Sequence, residues 1–84
     1  MVKVKIFGVF RLDTGIKELM VEAGSVPELL EAVAKEAQRV NPASTITEKA
    51  LRGCIVSVNG SQVSLRAGLN DGDEVMLVPA VAGG

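Results

Sequence analysis

The sequence has no histidine, no tryptophan, no tyrosine and one cysteine. Without histidine there is no imidazole general base, no triad built on one and no imidazole metal ligand. A lone thiol excludes an internal disulfide and a thiolate zinc cluster. Two phenylalanines are the whole aromatic complement, so no row of rings exists on which bases could stack. An excess of one charge is missing too. Nine Lys and Arg stand against ten Asp and Glu, a net charge of −1, whereas non-specific nucleic-acid binding needs a basic field. No apolar run is long enough to span a bilayer. The opening Met1-Val2-Lys3-Val4-Lys5 alternates charge with apolar residues, unlike a secretory leader. The expectation is a soluble cytoplasmic domain with no nucleic-acid or membrane partner and no metal. A self-sufficient enzyme is disfavoured, since only carboxylates, amines and one thiol remain for chemistry.

What is present reads as one small domain of 84 residues, 48% apolar and 23% charged, with a thin aliphatic core. Val2, Val4 and Ile6 alternate with Lys3 and Lys5, the period of a strand with one buried face. Residues 2–10 are assigned to strand one. Asp13-Thr14-Gly15 reads as a turn and residues 16–22 as strand two, giving an antiparallel hairpin. Ser25-Val26-Pro27-Glu28 is a capping box. Val26, Leu29, Leu30, Val33, Ala37 and Val40 then recur every three or four residues, one stripe of an amphipathic helix that Asn41-Pro42 ends. A short helical turn is expected around residues 47–51.

Residues 54–58 read as strand three. Asn59-Gly60 is the strongest hairpin signal in the chain, because both residues tolerate positive φ. Residues 62–65 are a short strand four, Asp71-Gly72 a turn, and residues 74–78 a last strand stopped by Pro79. This order predicts an α+β fold, a mixed sheet of about five strands with one main helix on one face. The expected boundaries are a domain over 1–78 and a flexible tail over 79–84.

That order, with a free tail, looks like the β-grasp or ubiquitin-like fold. Phe7-Gly8-Val9-Phe10-Arg11, with Gly15 four residues later, resembles the first hairpin of the molybdopterin synthase small subunit family. Val58-Asn59, Leu69-Asn70-Asp71-Gly72-Asp73-Glu74-Val75 and Pro79-Ala80-Val81-Ala82-Gly83-Gly84 resemble its later strand, turn and ending. The resemblance implies a sulfur carrier. Its terminal glycine, here Gly84 after Gly83, is adenylated by an E1-like adenylyltransferase using ATP and converted to a thiocarboxylate. The carrier docks on the large subunit of the synthase, and the sulfur enters the dithiolene of the molybdenum or tungsten pterin cofactor. The carrier itself binds no cofactor, and the catalytic residues are the partner's. Two relatives share the fold and the tail: the thiamine-pathway sulfur carrier and the archaeal ubiquitin-like protein modifiers. This sequence departs from the family pattern where Leu12 stands in place of an acidic residue, and where Leu77 and Val78 stand in place of aromatics.

The tail suits acyl chemistry. A carboxylate is a poor acyl donor until adenylation supplies a leaving group. Glycines without a Cβ can thread a narrow channel. Six residues past the last strand reach about 20 Å when extended. The plainer alternative is a frayed terminus or a cloning remnant.

Strand parity places Phe7 on the face opposite Val2, Val4 and Ile6, and Met76 and Val78 opposite Val75 and Leu77. Phe7, Arg11, Met76 and Val78, leading into Pro79, Ala80, Val81 and Ala82, are therefore candidate partner-binding residues. Isolated exposed apolar residues are also common. Arg11 either pairs with a partner's carboxylate or solvates the strand end. Cys54 either carries a persulfide or, more commonly for a lone thiol, faces the core. Asp71-Gly72-Asp73-Glu74 lacks the ligand spacing of an EF-hand loop.

Overall fold

The computed structural model describes residues 1–44 and 46–79. The chain runs β1 (Val2–Ile6), α1 (Gly8–Thr14), β2 (Glu18–Val21), α2 (Val26–Val40), α3 (Glu48–Leu51), β3 (Cys54–Val58), β4 (Ser61–Val63) and β5 (Glu74–Pro79). The five strands form one mixed sheet in the order β2-β1-β5-β3-β4. β1 and β5 are parallel neighbours at its centre, and every other pairing is antiparallel. This is the expected α+β, β-grasp architecture.

One face of the sheet is built by the period-two residues. Val2, Val4 and Ile6 of β1 and Val75 and Leu77 of β5 are all at most 1% exposed. Leu29, Leu30, Val33 and Ala37 from α2 pack with them in one cluster. Burying each large aliphatic side chain contributes roughly 1.5–3 kcal/mol, which makes this two-layer contact the main stabilising element. Val40 does not complete the stripe. It is the last residue of α2 and remains half exposed. The Ser25 hydroxyl accepts from the Glu28 amide, while the Glu28 carboxylate accepts from Gly24, a capping box shifted by one residue at its return bond.

The first ten residues are not one strand. β1 stops at Ile6, and the segment assigned to its continuation and to a turn forms helix α1. Gly8 breaks the extended run at φ +62, and Gly15 closes the helix at φ +73, its amide donating to the Arg11 carbonyl. Both conformations favour glycine. Strand two correspondingly begins later, at Glu18. β1 and β2 are antiparallel neighbours as expected, but a helix joins them. α1 is held from outside. Phe10 packs on the core and Thr14 is buried. The Thr14 hydroxyl donates to the Phe10 carbonyl at 2.8 Å and accepts from the Ile16 amide at 3.1 Å. Ser44 donates to the Asp13 carboxylate at 2.6 Å, and Asn41 to the Asp13 carbonyl at 2.8 Å.

The other boundaries lie close to the expectation. Thr47 caps α3 through the Ala50 amide. Asn59 and Gly60, at φ +51 and +88, make the β3–β4 turn, the pair of positive φ values that a two-residue hairpin favours. β4 is shorter than expected and begins at Ser61. β5 runs one residue further than expected, because Pro79 still pairs with Cys54.

Candidate functional site

Three strands place the apolar part of the open sheet face. The pairing sets Met76 of β5 beside Lys5 on one side and Ser57 on the other, and Val78 beside Ile55. Residues directly opposite in a sheet share a face, so Met76, Val78 and Ile55 form one patch. Phe7 extends it. Its backbone is still extended, and its amide donates to the Leu77 carbonyl at 3.1 Å. The inward-outward alternation of β1 therefore holds through Phe7, which is half buried. Toward β2 this face carries two ion pairs, with exposed Met20 opposite Lys3. Lys5 meets Glu74 at 3.2 Å, and Lys3 meets Glu18 at 3.8 Å.

Arg11 sits on the exposed side of α1, not at a strand end, because the helix begins at Gly8. The fold nonetheless brings it to Phe7. Both line a cavity of about 240 Å³ with Lys5, Ile6, Lys17 and Glu18. Pro79 closes the other side of this region by packing on Gly8. A Cβ on Gly8 would lie 2.9 Å from the Pro79 ring, too close for an ordinary contact. Of the ten expected site residues, Phe7, Arg11, Met76, Val78 and Pro79 thus fall at one end of the molecule, around the β1–β5 contact. Ala80, Val81, Ala82, Gly83 and Gly84 lie outside the described residues.

Two residues of this region escape a reading by pattern alone. Ile55 is 38% exposed. An inward Cys54 already implied that Ile55 points outward. Lys17 belongs to no motif, and only the crossover through α1 sets it beside Arg11.

Cys54 is buried, and removal from water pushes its thiol up to about 11. A neutral buried thiol is a weak nucleophile, so the core role fits and a sulfur-carrying role does not. The Asp73 carboxylate is engaged within its own turn, accepting from the Asn70 amide at 2.8 Å and from the Asn59 side chain at 3.0 Å. Those bonds hold it below its ordinary titration range. No helix among the described residues is long and apolar enough to cross a membrane.

Comparison with known proteins gives the same architecture a family. No curated sequence matches the chain significantly. Solved structures do. A chain of the Amycolatopsis orientalis BexX/CysO complex is 33% identical with a TM-score of 0.70, covering 100% of both chains. The small archaeal modifier protein 1 of Methanosarcina acetivorans is 26% identical with a TM-score of 0.73, covering 99% of this chain and 95% of that one. The complex of subunits 1 and 2 of molybdopterin-converting factor from Helicobacter pylori 26695 gives 26% identity and a TM-score of 0.60, over 99% and 97%. The ThiS family model matches residues 4–84, nearly the whole sequence and through both terminal glycines. The chain belongs to the ThiS family of ubiquitin-like sulfur carriers.

Proposed function

We propose that this chain carries sulfur as a thiocarboxylate on Gly84 and delivers it for dithiolene formation in molybdopterin. An E1-like adenylyltransferase joins the Gly84 carboxylate to AMP from ATP, releasing pyrophosphate. Sulfide-level sulfur from a donor then attacks the Gly84 acyl carbon; the acyl–oxygen bond to AMP breaks, AMP leaves with that oxygen, and the new acyl–sulfur bond is that of the thiocarboxylate. The single observation that carries the reading is the family match extending through Gly83 and Gly84. The site geometry supports it. The patch of Phe7, Ile55, Met76 and Val78 lies beside Pro79, from which five residues lead to Gly84. Fully extended, they reach about 17 Å, so a partner docked on the patch can hold the tail in its own catalytic pocket. The large subunit of a molybdopterin synthase is the partner this reading names. Likeness to the two-subunit Helicobacter complex supports that kind of partner.

The test is one residue added after Gly84. The extended chain should fold unchanged and transfer no sulfur to the pterin precursor when combined with the E1-like enzyme and large subunit of its own genome. Retained transfer would overturn the reading. The likeness to an archaeal modifier protein favours a second reading, in which Gly84 is joined to lysines of other proteins. That reading predicts isopeptide-linked conjugates that disappear when Gly83 and Gly84 are removed.

A further inference from the structure

The cavity beside Phe7 collects positive charge that the ion pairs among the described residues leave partly unmatched. Of its six described lining residues, three are the cations Lys5, Arg11 and Lys17. Lys5 is paired with Glu74, and Glu18, the one acid among the described lining residues, is paired with Lys3. Neither Arg11 nor Lys17 enters an ion pair among the described residues. Two cations therefore share one concavity in which, among the described residues, the lining acid Glu18 is already paired. The backbone under Lys17 is fixed, because its carbonyl accepts from the Ile6 amide at 3.0 Å. Arg11 is carried on α1, whose start is fixed by the Gly8–Pro79 contact. One wall is apolar: Phe7, half buried, lines it, while the Ile6 side chain beneath is turned into the core.

A guanidinium fork with an ammonium nearby suits a carboxylate, which accepts two bonds from the fork and a further one from the lysine. The apolar wall suits the methylenes of an acidic side chain or an apolar neighbour, and adds nothing for a bare inorganic anion. We infer that this cavity receives a glutamate or aspartate side chain, flanked by an apolar residue, from the protein that docks on the open sheet face. The inference rests on the docking reading above. It adds Lys17 to the interface and specifies the chemistry of the partner segment. The cavity continues the apolar patch, since Phe7 belongs to both.

The test is a titration of the full chain, followed by its amide proton–nitrogen spectrum. Three probes are used separately: the capped peptide acetyl-Leu-Glu-Glu-Leu-amide, its Leu-Gln-Gln-Leu counterpart, and inorganic phosphate. The expected result is saturable shifts at Phe7, Arg11 and Lys17 with the glutamate peptide alone. Binding should weaken about tenfold or more in R11Q and in K17Q. Both side chains are exposed, and the dispersion of the same spectrum reports that each variant is folded. Equal shifts with both peptides, no shift with either, or shifts with phosphate but not with the glutamate peptide would each overturn the inference. Gly84 plays no part in this measurement, so its failure is distinct from a failure of thiocarboxylate formation.

Discussion

The Phe7 amide donates to the Leu77 carbonyl at 3.1 Å, one residue beyond the end of β1. This bond keeps the Phe7 ring in register with the open face of β5, next to the last strand residues before the tail. Phe7 is half buried and is not part of the aliphatic core cluster. Phe7→Ala should therefore cost little stability but remove an aromatic anchor from the docking surface. Calorimetric titration against the large subunit should show about 2 kcal/mol of lost affinity, roughly thirtyfold in Kd. An unchanged Kd would remove Phe7 from the interface.

Asn59 ties the β3–β4 turn to the start of β5. Its amide donates to the Glu74 carbonyl at 2.8 Å, its side-chain oxygen accepts from the Glu74 amide at 3.0 Å, and its side-chain nitrogen donates to Asp73 at 3.0 Å. It also holds φ +51. Asn59→Ala should destabilise by about 1–3 kcal/mol in urea unfolding, from unpaired groups and strained backbone together. Asn59→Gly removes the side-chain bonds but not the preferred φ, so it should cost less than Asn59→Ala.

The Asp73 carboxyl is held low, chiefly by the Asn70 amide and then by the Asn59 side chain. A lowered folded value favours the folded state above the unfolded carboxylate value of about 3.9. That contribution is lost as pH falls through the folded value. Melting temperatures between pH 6 and pH 2 should therefore fall, and Asp73→Asn should make the acid limb shallower. A steeper limb in the variant would contradict the assignment.

Cys54 titrates in the opposite sense. Burial raises its thiol to about 11, so its contribution is complete below the unfolded value of about 8.5 and disappears as pH rises through the folded one. At pH 8 the native thiol should react slowly with a disulfide reagent, and quickly once urea unfolds the chain. Equally rapid reaction in the native state would show that the thiol is open to solvent.

The elements that were legible in the sequence are those whose pattern and environment agree. The alternation of β1, the stripe of α2 and the Asn59-Gly60 turn each state locally what the tertiary structure then uses. Parity was enough to assign Phe7, Met76 and Val78 to the open face. α1 was not legible, because β-branched Val9 and aromatic Phe10 read as a continuation of the strand before them. It has no side-chain cap at Phe7 and no acidic residue in its first turn. Its support is tertiary instead: Phe10 on the core, buried Thr14, and Asp13 tied to Asn41 and Ser44. Gly15 seven residues after Gly8 was the available signal, a left-handed stop for a two-turn helix. Lys17 was illegible for the same reason, since only α1 and the register of β2 bring it to Arg11. The tail residues 80–84 carry their meaning in composition and position alone.

The measurement that reaches the central claim most directly is the chemistry of the C-terminal peptide. The protein is isolated after reaction with its E1-like partner, ATP and a sulfur source. Trypsin cleavage after Arg66 leaves the peptide from Ala67 to Gly84. Exchange of oxygen for sulfur weighs nearly the same as oxidation of Met76 in that peptide, so fragmentation and alkylation of the thioacid must locate the change. The account predicts sulfur on the Gly84 carboxyl. A plain carboxylate with no adenylate, under conditions where the E1-like enzyme is active, would contradict it.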